Sequence, residues 1–283
     1  MLLKKIRAYL DLMRFIVCLS AFLMAIMGYW LATHTFDLSN SKAFWAAGAV
    51  GLALAFGNAL NDILDLEADK VNYPNRPLPS GAISPTEAGW VTAFFLVSSM
   101  LCGIMAGRWV FYFIVFELGA AVLYDVWASK IPVLGKVVVA VCSALTLSTG
   151  FFVSEGGDLP IVPILAAFFF ILAREFTETI SDAVGDRIAG RRSIYALLGK
   201  TRVLLLSLML ILISIVVLFI PVFTAQLASR TLYILTIVLL LIIPAAMTII
   251  VIWRDQSAPN IRQASHWIGV VFFSSFLALL WLV

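Results

Sequence analysis

Asn58-Ala59-Leu60-Asn61-Asp62-Ile63-Leu64-Asp65-Leu66-Glu67-Ala68-Asp69 closes an apolar run that begins near residue 43. Polar side chains at 58, 62, 65 and 69 follow the spacing i, i+4, i+7, i+11. If the helix continues past Asn61, that spacing places Asn58, Asp62, Asp65 and Asp69 on one face. Three carboxylates stacked there repel one another, so the arrangement calls for a counter-charge. A divalent cation provides one, because hard ions take oxygen ligands and magnesium is commonly held by carboxylates together with substrate phosphates. Carboxylates entering a membrane are functional candidates by default. The stretch thus predicts a membrane helix that ends in a metal-binding stripe.

The rest of the chain agrees with a membrane helix. Of its 283 residues, 63% are hydrophobic and 12% charged, about half the roughly 25% charge of a soluble domain. The class is an all-α polytopic membrane protein, and the length suits one domain over residues 1–283. A membrane helix needs about 20 mostly apolar residues. Nine segments qualify, at approximately 15–33, 43–61, 87–106, 109–127, 133–153, 160–180, 203–223, 231–252 and 265–283. The break at Ala106-Gly107-Arg108 separates the third from the fourth. The first is long for a signal peptide and is read as a retained span.

Lysine and arginine divide unevenly between the two sides of these spans: fifteen lie on the side of the N-terminus and three, Lys42, Arg108 and Arg230, on the other. That bias places the protein in the cell membrane with the N-terminus cytoplasmic and the C-terminus outside. The net charge of +3 gives no indication of nucleic acid. Cys18, Cys102 and Cys142 sit in apolar runs without metal-ligand or disulfide spacing and read as small buried hydrophobes. His34 and His266 read as interfacial packing residues.

The long polar connections, 62–86 and 182–202, both fall on the cytoplasmic side, and loops of that length usually carry function. The second follows Arg174-Glu175-Phe176-Thr177-Glu178-Thr179-Ile180-Ser181-Asp182-Ala183-Val184-Gly185-Asp186, where 175, 178, 182 and 186 form another acidic stripe. Asp62 and Asp182 each close an even-numbered span and precede a loop with arginine, which suggests a repeated four-helix unit with facing stripes. Single acids at helix ends are usually just solvated. Two periodic stripes, one with paired Asn and Asp, favour function. In Asn72-Tyr73-Pro74-Asn75-Arg76-Pro77-Leu78-Pro79-Ser80-Gly81 the prolines fix the backbone around Arg76, whose guanidinium suits a diphosphate. Lys130, after Tyr124 and before Pro132, offers a second cation. Arg191 and Arg192 read as anchors on the positive side.

At these residues the chain resembles the UbiA superfamily of intramembrane prenyltransferases. Asn61-Asp62-x-x-Asp65-x-x-x-Asp69, the Pro74–Gly81 loop, Leu123-Tyr124 with Lys130-x-Pro132-x-Leu134-Gly135, and Asp182-x-x-x-Asp186 carry the likeness, which spans roughly Arg14 to Lys200. The resemblance implies nine helices around a central cavity that opens to the cytoplasm. It implies Asp62, Asp65, Asp69, Asp182 and Asp186 as magnesium ligands, Asp65 and Asp182 acting in catalysis. It also implies Asn58, Asn61, Arg76 and Lys130 on the substrate, an isoprenyl diphosphate, and Tyr124 facing an allylic cation. No Ser-His or Cys-His pair is needed for that chemistry.

Within the superfamily the Arg174-Glu175 … Gly185-Asp186 block looks most like digeranylgeranylglyceryl phosphate synthases, which implies geranylgeranyl diphosphate as donor and geranylgeranylglyceryl phosphate as lipid acceptor. The chain departs from that pattern at Glu178-Thr179, at Ser181, at Lys136 and after Arg14, so an aromatic acceptor of the quinone-pathway type stays open. No protein partner is expected. A cation-coupled transporter would place its acids nearer mid-membrane. A CDP-alcohol phosphatidyltransferase would need an Asp-Gly-x-x-Ala-Arg block before Asp182, which the chain lacks.

Overall fold

The structure, a computed structural model, describes residues 2–35, 39–155, 157–188, 193–255 and 257–282. Arg191 and Arg192 lie outside the described residues. In chain order the helices are α1 (Leu2–Leu12), α2 (Phe15–Thr33), α3 (Ser41–Leu64), α4 (Leu66–Asn72), α5 (Pro85–Ala106), α6 (Arg108–Val126), α7 (Leu134–Leu145), α8 (Thr149–Ser154), α9 (Ile161–Ser181), α10 (Ala183–Ile188), α11 (Ile194–Leu198), α12 (Lys200–Phe219), α13 (Pro221–Thr224), α14 (Arg230–Ile237), α15 (Ile243–Arg254) and α16 (Ala258–Ser275). Lipid offers no partner for backbone N–H and C=O groups, so a chain this apolar satisfies them within helices.

Among the described residues eight stretches are long and apolar enough to cross a membrane: Phe15–Thr33, Ser41–Leu64, Pro85–Ala106, Arg108–Val126, Leu134–Ser154, Lys200–Thr224, Arg230–Arg254 and Pro259–Trp281. They match eight of the nine expected segments. The remaining one, 160–180, is the single helix α9, which differs from the eight in carrying Arg174, Glu175 and Glu178. The division at Gly107 is as expected, with φ 129° at the glycine between α5 and α6. One expectation needs correction. The last span starts earlier than residue 265, at Pro259. The basic N-terminal tail is the helix α1, with Ala8 and Leu12 buried and Lys5 donating to Glu87 at 2.5 Å.

The chain falls into two compact units. The first comprises Met1–Ile131, Leu145–Leu159 and Val184–Arg191. Its centre is α3, the most buried of the eight spans. Ala46, Ala47, Ala49, Ala55 and Ala59 are almost fully enclosed there, and small side chains let neighbouring backbones approach closely. Ser99 of α5 donates to the Ala49 carbonyl at 2.7 Å across that contact. Against α2 the approach is closer still. A Cβ on Gly28 would collide with the Leu147 carbonyl, and one on Gly150 with the Tyr29 backbone.

The second unit comprises Pro132–Ala144, Pro160–Ala183 and Arg192–Val283. In it α9 packs against α12 and α16, and Ser214 of α12 donates to the Ala166 carbonyl at 2.8 Å. Tyr233, fully buried, donates to the Leu218 carbonyl at 2.6 Å.

Candidate active site

The acidic end of α3 is not one unbroken helix, contrary to the sequence expectation. α3 stops at Leu64, Asp65 takes φ −96° and ψ 11°, and α4 resumes at Leu66. The backbone still closes across the break, since the Asp65 N–H donates to the Asn61 carbonyl and the Asp69 N–H to the Asp65 carbonyl, each at 2.8 Å. α9 ends in the same way: Asp182 caps it, its N–H donating to the Glu178 carbonyl, and the short α10 follows. A helix that breaks at the acid turns the next side chains away from a single stripe.

Asp62 and Asp69 nevertheless converge, because Arg76 returns to them. Its Nη1 donates to Asp69 Oδ2 at 2.6 Å and approaches Asp62 Oδ1 at 3.3 Å. The Pro-rich loop makes this possible. Arg76 and Ser80 close successive turns through the Tyr73 and Arg76 carbonyls, Leu78 and Ile83 are buried beneath, and Gly81 takes the left-handed φ of 75°. A capping box between Ser84 and Glu87 then starts α5. The guanidinium also lies 3.8 Å above the Tyr73 ring, a cation–π contact that fixes its plane. Asp62 is 1% exposed and Asp69 5%. Burial raises the Asp69 pKa above the ordinary carboxylate value, Arg76 opposing and Asp62 and Asp65 adding to the rise. Burial alone would lower the Arg76 pKa, but Asp62 and Asp69 together raise it.

Arg14, absent from the expected site, is the other cation here. It donates through Nη2 to Asp62 Oδ1 at 2.8 Å and through Nη1 to Asn58 Oδ1 at 3.2 Å. Its backbone is left-handed, φ 53° and ψ 58°, at the junction of α1 and α2. For a residue other than glycine that conformation is strained and points to a functional demand. Asn58 completes the clamp by donating to the Met13 carbonyl at 3.1 Å. Asn58 therefore holds Arg14.

Asn61 donates to Asp65 Oδ2 at 3.1 Å and to Asp125 Oδ1 at 2.9 Å. Asp125, buried at the end of α6, was also missed by the sequence reading. It places half-buried Tyr124 in the helical turn that is bonded to Asn61. Lys130, in the turn Ala128–Lys130, is exposed and forms no ion pair among the described residues. The structure thus brings together Asn58, Asn61, Asp62, Asp65, Asp69 and Arg76. Among the described residues no three Asp, Glu, His or Cys side chains meet as a ready metal cage. Asp62 and Asp69 are joined through a guanidinium and Asp65 is turned to Asn61.

In the second unit the α9 acids divide by depth. Glu175, 4% exposed, accepts from Arg174 at 2.5 Å and from Lys136 at 3.1 Å. Glu178 accepts from Arg174 at 2.8 Å and from Ser265 at 2.9 Å. These acids are neutralised inside the unit, which is how charges persist within a membrane helix. Asp182 is less enclosed, with the Ser181 hydroxyl at 3.4 Å and the Arg262 guanidinium at 3.9 Å. Asp186 is half-buried in α10. His266 is exposed on α16, beside Pro259, Arg262 and Gln263. His34 caps α2, 4.0 Å from Asp158.

Residues 21–282 match the UbiA prenyltransferase family. The chain belongs to that family. As a UbiA-family prenyltransferase it is a multi-pass membrane enzyme, which sets aside the transporter and the phosphatidyltransferase. It is 30% identical over 77% of its length to digeranylgeranylglyceryl phosphate synthase of Sulfurisphaera tokodaii, covering 79% of that protein. To the synthase of Saccharolobus solfataricus it is 26% identical, covering 97% of this chain and 96% of the relative. Its fold resembles that of a UbiA homologue from Archaeoglobus fulgidus bound to GPP and Mg2+, with TM-score 0.71, 19% identity, and 96% and 99% of the two chains covered. A UbiA homologue from Aeropyrum pernix gives TM-score 0.74 at 20% identity, with 93% and 97% covered.

Proposed function

We propose that this UbiA-family enzyme uses magnesium to ionise geranylgeranyl diphosphate and transfers the prenyl group to geranylgeranylglyceryl phosphate. The observation that carries the reading is the buried pair Asp62 and Asp69 on Arg76, with half-buried Asp65 held by Asn61 between them in sequence: oxygen donors suited to a hard cation next to a guanidinium suited to phosphate. The donor set fits magnesium, since two of its carboxylates are enclosed and already require a cation. The acceptor follows the relatives, which are named for digeranylgeranylglyceryl phosphate synthesis.

In this reading magnesium, when bound, neutralises the charge that develops on the diphosphate. Asp62, Asp65 and Asp69 hold it. Asp182 and Asp186 are assigned the same chemistry by residue type and motif. Arg76 and Lys130 bind phosphate oxygens. The prenyl C1–O bond breaks with its electron pair leaving on diphosphate. The acceptor hydroxyl oxygen forms the new C–O bond and gives up its proton. Tyr124 faces the allylic cation with its ring, and apolar side chains exclude water from it. Asn61 orients Asp65, and Asn58 holds Arg14 on Asp62. The helix α9 is the ninth crossing, and the basic side of the spans, with the N-terminus and the acidic helix ends, faces the cytoplasm.

The test is lipid mass spectrometry on purified protein given geranylgeranyl diphosphate, magnesium and a mixture of lipid and aromatic acceptors, with an EDTA control. Magnesium-dependent digeranylgeranylglyceryl phosphate is the expected product. A prenylated aromatic would keep the ionisation chemistry and replace the acceptor. No transfer from folded protein would overturn the reading.

A further inference from the structure

We infer that Arg76 and a divalent cation are alternative partners of Asp62 and Asp69, and that the arriving diphosphate decides between them. The inference rests on the metal–diphosphate reading of this site. It goes beyond that reading by making one side chain responsible for loading metal and diphosphate together.

Arg76 Nη1 touches Asp69 Oδ2 at 2.6 Å and Asp62 Oδ1 at 3.3 Å, so it bridges two carboxylates as a metal ion would. A divalent cation on these oxygens would sit beside the guanidinium as a like charge, so the two compete for the carboxylates. With both carboxylates almost fully enclosed, they demand a cation, because a buried charge is tolerated only when paired. Arg76 meets that demand in the structure.

Arg76 also has a way to leave. Its side chain is 25% exposed, whereas those of Asp62 and Asp69 are 2% and 6%. Its departure does not strand Asp62, since Arg14 donates to the same oxygen at 2.8 Å and is itself held by Asn58. Asp69 has no second cation within ion-pair distance among the described residues, so its partner must be replaced directly.

A cation entering alone would leave the Arg76 guanidinium without its anions and beside a like charge. A diphosphate entering with it gives the guanidinium a new anionic partner of the fork-compatible kind. Metal affinity is therefore low without diphosphate and high with it, and by linkage the diphosphate gains equally from the metal.

The experiment uses full-length protein in detergent and Mn2+ as a paramagnetic probe, titrated by electron paramagnetic resonance with and without geranylgeranyl thiodiphosphate. Wild type is expected to bind Mn2+ weakly alone and tightly with the analogue. Arg76→Gln is expected to bind Mn2+ alone more tightly than wild type by about tenfold, within the usual range of coupling between sites. Lys70→Gln controls for loss of a nearby charge, since Lys70 pairs with Glu67, and is expected to match wild type.

If Arg76→Gln is unstable in EDTA, recovery of its melting temperature by Mn2+, with no such shift in wild type, is the same signature. Equal Mn2+ affinity of wild type and Arg76→Gln without the analogue, or no recovery by Mn2+, overturns the inference while leaving the site reading in place. Failure of wild type to bind Mn2+ even with the analogue overturns the site reading itself.

Discussion

The side-chain amide of Asn61 donates to Asp125 at 2.9 Å across 64 positions of sequence, while the same amide holds Asp65 at 3.1 Å. One residue thereby ties the break after α3 to the last turn of α6, the turn that carries Tyr124. Asp125 has no place in the stripe read from spacing, yet it holds Asn61, which in turn holds Asp65. Replacing Asp125 by Ala is expected to lower turnover by about 10–100-fold, the usual effect of losing an outer partner of a metal ligand. Losing the hydrogen bond to half-buried Asn61 should also cost about 0.5–1.5 kcal/mol of stability. Steady-state kinetics and thermal unfolding of the same preparation separate the two effects.

Asp62 and Asp182 should respond differently to the same substitution. Asp62→Asn removes the charge shared by Arg14 and Arg76, and breaking a buried pair costs about 3–5 kcal/mol. Asp182 is more open, with its guanidinium partner at 3.9 Å, and its replacement should leave the melting temperature nearly unchanged. Both variants, and Asp65→Asn, are expected to lose turnover by on the order of 100-fold or more, as when a group that stabilises developing charge is removed. A residual activity near wild type in any of the three would remove that residue from the proposed metal site.

Asp69 gives a pH dependence whose sign follows from its burial. Its pKa in the folded protein is raised, so the stability it contributes is full below the ordinary value of 3.8 and is lost as pH rises through the raised value. In Asp69→Asn that titration is absent. The melting temperature of Asp69→Asn minus that of wild type, both in EDTA, is therefore expected to increase from acid to neutral pH. Differential scanning fluorimetry across that range provides the measurement, and a difference that decreases would contradict the direction given.

Helix packing offers a check away from the chemistry. Ser99→Ala deletes the hydroxyl bond to the Ala49 carbonyl and is expected to cost about 0.6 kcal/mol, the average for such bonds between membrane helices. Gly28→Ala drives a methyl group into the Leu147 carbonyl, a backbone atom that cannot rotate aside. Its expected cost is about 1–3 kcal/mol, as for other overpacked cores. Unfolding of both variants in detergent should rank them in that order.

Much of the site was legible in the sequence because its members lie close together along the chain. Asn58 to Arg76 span one helix end and one loop, and the spacing of their acids and the prolines around Arg76 is visible without coordinates. Arg14 and Asp125 were not legible. They reach the cluster through a left-handed backbone at residue 14 and through a contact between α3 and α6, and neither leaves a periodic trace. Lys136 stood in the sequence as a positive-side charge and a departure from the synthase pattern, and its pairing with buried Glu175 at 3.1 Å was not legible there.

The sequence by itself determined the membrane class, eight of the spans within a few residues, and the two acidic motifs. These depend on local apolar length and on side-chain spacing, which the chain carries directly. Tertiary structure alone decided which cation each carboxylate meets. It broke α3 at Asp65, brought Arg76 back onto Asp62 and Asp69, and set Arg14 on the same Asp62 oxygen. Charges buried together must be paired wherever the fold leaves them, and that pairing is settled by distance in space.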